Sequence, residues 1–251
     1  MRYVNSYNPS ERPELHGCYG PDPYDVNWVF PLHESSLKSE RVTLTPFIPS
    51  IHANELFRQI KAHPGLQHWL PFDILDMDEL LAVLELRFRR DPSNILFAII
   101  DHVHGGTLTG TIGLLKASPV HLSVEIGWVF VFPSFQHTHV TSNAVGLLLQ
   151  YCLELSSTPA RPGLGLRRVQ WFTHIENKAS RRTALRMGLK EEATLRWERT
   201  LPEGKVGNGI AVREGDPQST RPSRHTVVFS LCADDWEKDG KGHVRQLIDR
   251  K

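Results

Sequence analysis

The sequence predicts a mixed α/β domain, in the α+β sense: a central, largely antiparallel sheet with helices on its faces. Three observations carry this. Alternating apolar segments and segments with apolar residues three and four apart follow one another in the order β-α-α-β-β-β-α-β-α-β-β. The strands between Asn94 and Phe132 are joined by short turns, as an antiparallel meander requires, whereas the later ones are linked through helices. At 251 residues, 40% hydrophobic and 23% charged, the chain is long enough to bury such a core.

Residues 1–39 hold prolines, aromatics and turn formers without a sustained period, and read as an arm. Its first dozen residues are expected to fray, while Trp28, Val29 and Phe30 should pack on the domain that follows, residues 40–236. "RVTLTPF" alternates as a strand, and "SIHANELFRQI" predicts a helix capped by Ser50 with Ile51, Leu56, Phe57 and Ile60 inward. "DMDELLAVLELRFRRD" predicts a second helix, capped by Asp76 and ending in Arg87, Arg89 and Arg90, as the helix dipole favours. "NILFAIID", "TLTGTIGLLKA" and "HLSVEIGWVFVF" form the meander. A helix over Ser142–Leu155, the strand "RRVQWFTHI", a helix from Asn177 stopping at Gly188, and the strand "LKEEATLRWERT" follow. A Gly/Pro-rich excursion, residues 201–223, precedes the last strand, "RHTVVFSLCADDW", and 237–251 reads as a tail.

With 29 basic and 28 acidic residues, nothing concentrates nucleic acid or an anionic membrane surface. Cys18, Cys152 and Cys232 are odd in number and far apart, which argues against a disulfide framework or a zinc site. No secretory h-region opens the chain and no run of about 18 apolar residues occurs, so a cytoplasmic protein is expected.

Alternation in "HLSVEIGWVFVF" would put Leu122, Val124, Ile126, Trp128, Phe130 and Phe132 on one face. Glu125, on the other, is a carboxylate inside an apolar strand: either a cross-strand partner for a basic group or a general base. Gly127 marks a bulge or a close approach. The next segment, "FQHTHVTSNA", leads from a strand straight into a helix N-terminus, where free N–H groups and the dipole accept an anion. An ordinary capped turn would look the same, and His137 with His139 makes a weak metal pair. His174, at a strand end, is either a solvent-touching histidine or an acid or base near neutral pH. As bare residue types, Trp69, Leu70 and Phe72 read as core.

Val129-x-Val131-x-Pro133, "FQHTHVTSNAVGLL" and "NKASRRTALRMGL", in this order, resemble the acyl-coenzyme A cradle of the GCN5-related N-acetyltransferases (GNAT). "NKASRRTALRMGLKEEATLR" and "RHTVVFSLCADDW" are similar to the branch with the ribosomal-protein N-terminal acetyltransferases; the resemblance spans about Arg41 to Trp236. It implies a GNAT-like sheet with a V-shaped strand splay. It also implies that Val129 and Val131 offer backbone to the pantetheine, and that the amides of Gln136, His137, Thr138, His139, Val140 and Thr141 hold the pyrophosphate beside Ser142. Asn177 and Ser180 would reach the cofactor, and Arg181 and Arg182 its adenosine phosphates. Trp69, Leu70 and Phe72 would wall the acceptor site.

Departures from the family pattern are specific. His139 and Thr141 stand at the loop's two glycine positions, which demands a different local backbone. Ala184 stands where many members carry a tyrosine acid, and Asn143 where the branch often has glutamate. The resemblance implies an acetyl-CoA-dependent N-acetyltransferase acting on a small amine or a peptide N-terminus, as monomer or homodimer, with Glu125 and His174 as catalytic candidates and no metal. A catalytically silent acyl-CoA-binding protein and an unrelated nucleotide-binding module are the alternatives.

Overall fold

The computed structural model describes residues 17–250. Seven strands form one sheet: β1 (Val42–Pro46), β2 (Ile95–Asp101), β3 (Thr107–Ser118), β4 (Ser123–Val131), β5 (Arg168–His174), β6 (Lys190–Thr200) and β7 (Ser223–Cys232), in the order β1-β2-β3-β4-β5-β7-β6. All neighbours are antiparallel except β4 and β5. That parallel pair needs a crossover, and α3 (His139–Leu153) supplies it.

α3 buries nearly its whole surface, including Leu147, Leu148, Leu149 and Tyr151, against Phe97, Ile99, Ile112, Leu114, Val124 and Ile126 of the sheet. The first dozen residues of the arm, expected to fray, lie outside the described residues. Trp28, Phe30 and Leu32 pack on this side of the sheet as expected, and Tyr151 donates its hydroxyl hydrogen to the Pro31 carbonyl at 2.6 Å. Val29 instead faces solvent.

On the other face lie α1 (Pro49–Ala62) and α2 (Met77–Val83), the latter continuing as a π-helical turn over Leu84–Arg89. Asp76 caps α2 by accepting from the Glu79 N–H at 2.8 Å, as predicted. Ser50 does not cap α1: the helix starts at Pro49, whose fixed φ suits a first turn, and Ile48 precedes it. Its inner face is therefore Ala53, Leu56 and Ile60, while Ile51 is 65% exposed. α3 likewise begins three residues before the predicted Ser142, because the Thr138 hydroxyl accepts from the Val140 N–H.

β4 departs from simple alternation. Thr111 pairs with Phe130 but Gly113 with Gly127, so β4 carries one extra residue, and Trp128 takes a positive φ of 51° there. Each residue beyond a bulge changes face. Val124 and Ile126 accordingly lie under α3, while Trp128, Phe130 and Phe132 join Leu56, Leu80, Leu84 and Phe88 beneath α1 and α2. The bulge places Glu125, Gly127 and Trp128 together on the α1/α2 side.

α4 (Lys178–Arg186) precedes β6. Beyond β7, a three-residue helix α5 (Ala233–Asp235) and a π-helical turn (Trp236–Gly240) lead into α6 (Lys241–Asp249). The segment expected as a tail is thus a helix, with Trp236, Val244 and Ile248 buried in the core beside α3. No helix among the described residues is long and apolar enough to cross a membrane.

Candidate active site

β4 and β5 pair over three registers only, Ser123 to Glu125 against Arg168 to Gln170. Beyond Glu125 they part, and the V-shaped gap opens into a cavity of about 800 Å³ bordered by the bulge, the loop after β4, the start of α4, and the segment joining α1 to α2. On the side toward β5, the β4 backbone from Ile126 to Val131 has no strand partner among the described residues.

Glu125 sits at the apex, 7% exposed. Lys116 Nζ lies 2.8 Å from its Oε2, out of hydrogen-bond alignment, so this oxygen keeps an unused lone pair. The Lys116 ammonium is held in turn over the Phe172 ring, 4.7 Å from its centroid. A Cβ at Gly127 would come within 3.3 Å of Glu125 Oε1 and 2.8 Å of Leu115 Cδ1, so a larger residue here would press on both side chains. Of the two expected roles of Glu125, the cross-strand ion pair is present, with Lys116, and the carboxylate also borders the cavity.

His174 also lines the cavity, but both ring nitrogens are engaged. Nδ1 accepts the Glu176 N–H at 3.0 Å, Nε2 faces the Val206 carbonyl at 3.2 Å, and the ring packs on Trp69 with centroids 4.8 Å apart. Burial, followed by the nearby Arg224 cation, holds its pKa below the usual histidine value. A neutral Nε2–H tautomer satisfies both contacts, leaving no nitrogen free to exchange protons with a substrate. His174 joins β5 to the excursion and to the Trp69 segment; its position is that of a structural tie.

In the loop after β4, Gln136, His137, Thr138 and Thr141 line the cavity. The strained residue is His137, at φ 63°, whereas His139 and Thr141 are helical. Glycine is therefore not demanded at the two positions where the family pattern puts it. The His139 side chain leaves the cavity for buried Asp101, Nε2 to Oδ1 3.0 Å, and Asp101 also pairs with His104 Nδ1 at 2.6 Å. Val140 is core and Ser142 is buried, neither bordering the cavity with its side chain. The first-turn N–H groups of α3 have no intrahelical acceptor, and that of Val140 is taken by the Thr138 hydroxyl. Val129 and Val131 both border the cavity, but Gln136 Nε2 donates to the Val131 carbonyl at 3.0 Å, so that acceptor is already engaged.

At α4, Asn177 caps the helix by accepting from the Ser180 N–H at 3.1 Å, and the Ser180 hydroxyl accepts from Trp171 Nε1 at 2.8 Å. Both residues border the cavity. Arg181 does not: it reaches the Ile175 carbonyl and Glu191 at 3.2 and 3.3 Å. Arg182 and Arg186, one turn apart, border it instead. Arg186 went unrecognised in the sequence, although its i+4 spacing from Arg182 was readable. Ala184 is fully buried, and Asn143 ties α3 to the arm by accepting from the Ser39 hydroxyl at 2.8 Å.

Trp69, Leu70 and Phe72 border the opposite end. There Lys205 of the excursion pairs with Asp73 at 2.5 Å and donates to the Gln67 carbonyl at 3.0 Å, so the two segments form one continuous wall. Arg87, Arg199 and Arg224 complete this end, and sequence reading had assigned none of them a place there.

The family model of the acetyltransferase (GNAT) domain matches residues 41–190. No curated protein sequence matches the chain. Among solved structures it is similar to a probable acetyltransferase of the GNAT family from Chromobacterium violaceum, at TM-score 0.67 and 25% identity over 93% of this chain and 100% of that one. A GCN5-related N-acetyltransferase from Brucella melitensis superposes at TM-score 0.64 and 24% identity, over 84% of each chain. Mycobacterium smegmatis RimJ, in complex with CoA-disulfide, does so at 0.60 and 19%, over 81% of this chain and 88% of that one.

Proposed function

Since the chain belongs to the GNAT acetyltransferase family, we propose that it transfers an acetyl group from acetyl-CoA directly to a primary amine, of a small molecule or a peptide N-terminus. The observation that carries this reading is Glu125: a nearly buried carboxylate at the apex of the β4/β5 gap, in one cavity with a helix start able to receive a pyrophosphate.

The residues present fit coenzyme A. The unpaired β4 edge at Val129 offers backbone groups to pantetheine amides, the start of α3 with Thr138 and Thr141 suits the pyrophosphate, and Arg182 and Arg186 suit the remaining phosphate. Asn177 contributes its free amide donors. Bound acetyl-CoA supplies the thioester carbonyl that the amine attacks.

Glu125 takes a proton from the incoming ammonium, directly or through a water, and Lys116 holds the carboxylate in place. Walls on three sides align the amine with the opening between the strands. The N–H of Val129 is positioned to receive negative charge developing on an acyl oxygen. His174 and Trp69 fix the geometry rather than exchange protons. With Ala184 buried, no α4 side chain at that position supplies an acid, and the leaving thiolate is protonated from solvent.

Placement in the ribosomal-protein acetyltransferase branch is supported by the loop and α4 motifs and by the RimJ likeness in fold. Ala184 also favours a second reading, a silent acyl-CoA-binding protein of the same fold. Thiol release measured with acetyl-CoA and a panel of amines and peptides separates the two. Amine-dependent release that collapses in Glu125→Gln is expected; background rates in both proteins, with acetyl-CoA bound, would establish the silent binder.

A further inference from the structure

The acceptor end of the cavity carries more positive charge than its carboxylates can balance. Arg87, Arg199 and Arg224 all border it, from the π-helical turn after α2, from β6 and from β7. Glu198 serves two of them, at 2.9 Å from Arg199 Nε and 3.9 Å from Arg224 Nε. Arg224 is 6% exposed; the same Nε donates to Thr226 Oγ1 at 3.0 Å, and Nη1 donates to the Trp69 carbonyl at 3.4 Å. Glu125 is engaged by Lys116.

Arg87 is left over. Its guanidinium lies 5.8 Å from the centroid of the Phe72 ring and forms no ion pair among the described residues. Burial, and after it the Arg199 cation, pushes it below the usual arginine range, against the smaller opposing pull of the Glu125 and Asp91 carboxylates, neither of which pairs with it directly. Leaving a partly buried cation unpaired beside another one opposes folding, so the arrangement is one that a bound anion would relieve. A planar guanidinium beside an aromatic wall receives a carboxylate or a phosphate through two parallel N–H bonds.

We infer that the acceptor is an amine that also carries an anionic group, its ammonium directed to Glu125 and its carboxylate or phosphate to Arg87 and Arg199, against the Trp69 and Phe72 wall. Glu125 alone would accept any amine; the arginines repel polyamines and other purely cationic acceptors. This assignment of ends rests on the transferase reading, but the anion site itself does not.

The test is direct binding, by calorimetry, of free amino acids, their carboxamides, O-phosphorylated amino acids and inorganic phosphate, with acetyl-CoA titrated separately. At least one acid or phosphate should bind about tenfold or more tightly than its neutral counterpart. Arg87→Met, which keeps the packing on Phe72, and Arg199→Gln should abolish that preference without altering affinity for acetyl-CoA. A preference for carboxylates over phosphates, or the reverse, identifies the anion. Equal binding of acids and carboxamides, or a preference unchanged in both variants, overturns the inference. Acid binding without acetyl-CoA binding would uphold the anion site and overturn the transferase reading instead.

Discussion

Lys116 Nζ stands 2.8 Å from Glu125 Oε2 at the last register where β4 and β5 still pair. The pair fixes a carboxylate at the apex of the gap while leaving it short of a full set of hydrogen bonds. Replacing Glu125 by Gln should lower kcat/KM by about 10²- to 10⁴-fold, the range for loss of a general base. Affinity for acetyl-CoA, measured by titration, should be unchanged. A variant that keeps wild-type turnover would remove Glu125 from the chemistry.

Asp101 anchors the start of α3. It is fully buried and accepts from His139, His104 and the Val103 N–H. Burial alone would raise its pKa, but the histidine hydrogen bonds hold it below the ordinary carboxylate value. Asp101→Asn should cost about 1–3 kcal/mol in denaturant melts, as expected when a buried polar network loses one partner. It should also raise KM for acetyl-CoA, because the loop loses its anchor while Glu125 is untouched. An unchanged KM would mean that the loop's shape does not depend on this tie.

Stability should fall on mild acidification. His174 and His52 both titrate below the ordinary value of 6.5, chiefly because of burial. A histidine with a lowered folded-state pKa gives stability that is complete above the unfolded value and declines as pH drops below it, since the unfolded chain then binds more protons. Thermal melts should therefore show Tm constant above pH about 7 and falling below pH about 6.5. His174→Gln should reduce the slope and leave the part due to His52. A Tm that rises toward pH 5 would contradict the buried neutral imidazole.

Lys205 connects the excursion to Asp73 and Gln67. Lys205→Met should loosen the acceptor wall, raising the acceptor KM with little change in KM for acetyl-CoA, because the donor end is built from β4, α3 and α4. Equal changes in both constants would show that the excursion shapes the whole cavity.

Element order and the antiparallel meander of β2, β3 and β4 were legible in the sequence because each depends on local apolar period and turn residues, and Asp76 and Asn177 cap their helices as their types suggest. Three features were not. The reversed facing of Trp128 and Phe130 is one: Gly127 marks the bulge in the sequence, but no periodicity tells at which residues the facing turns over. The C-terminal helix is short and rich in charged residues, and its place is set by Val244 and Ile248 meeting α3 over Gly146, a long-range contact. At the site, "FQHTHVTSNA" and Glu125 stood out by type and position, whereas Arg87, Arg199 and Arg224 come from three distant segments and meet only through the fold. Arg181 was misplaced for a related reason: which neighbour on a helix turn faces the cavity depends on a phase that residue type does not give.

On the proposed reading, the loop from Gln136 to Thr141, with His139 and Thr141 in place of glycines, holds coenzyme A. Calorimetric titration with acetyl-CoA, using ADP as control, tests it most directly. Saturable binding of acetyl-CoA well above ADP, weakened in Asp101→Asn, is the predicted result; no binding, or ADP binding as well as acetyl-CoA, would contradict it.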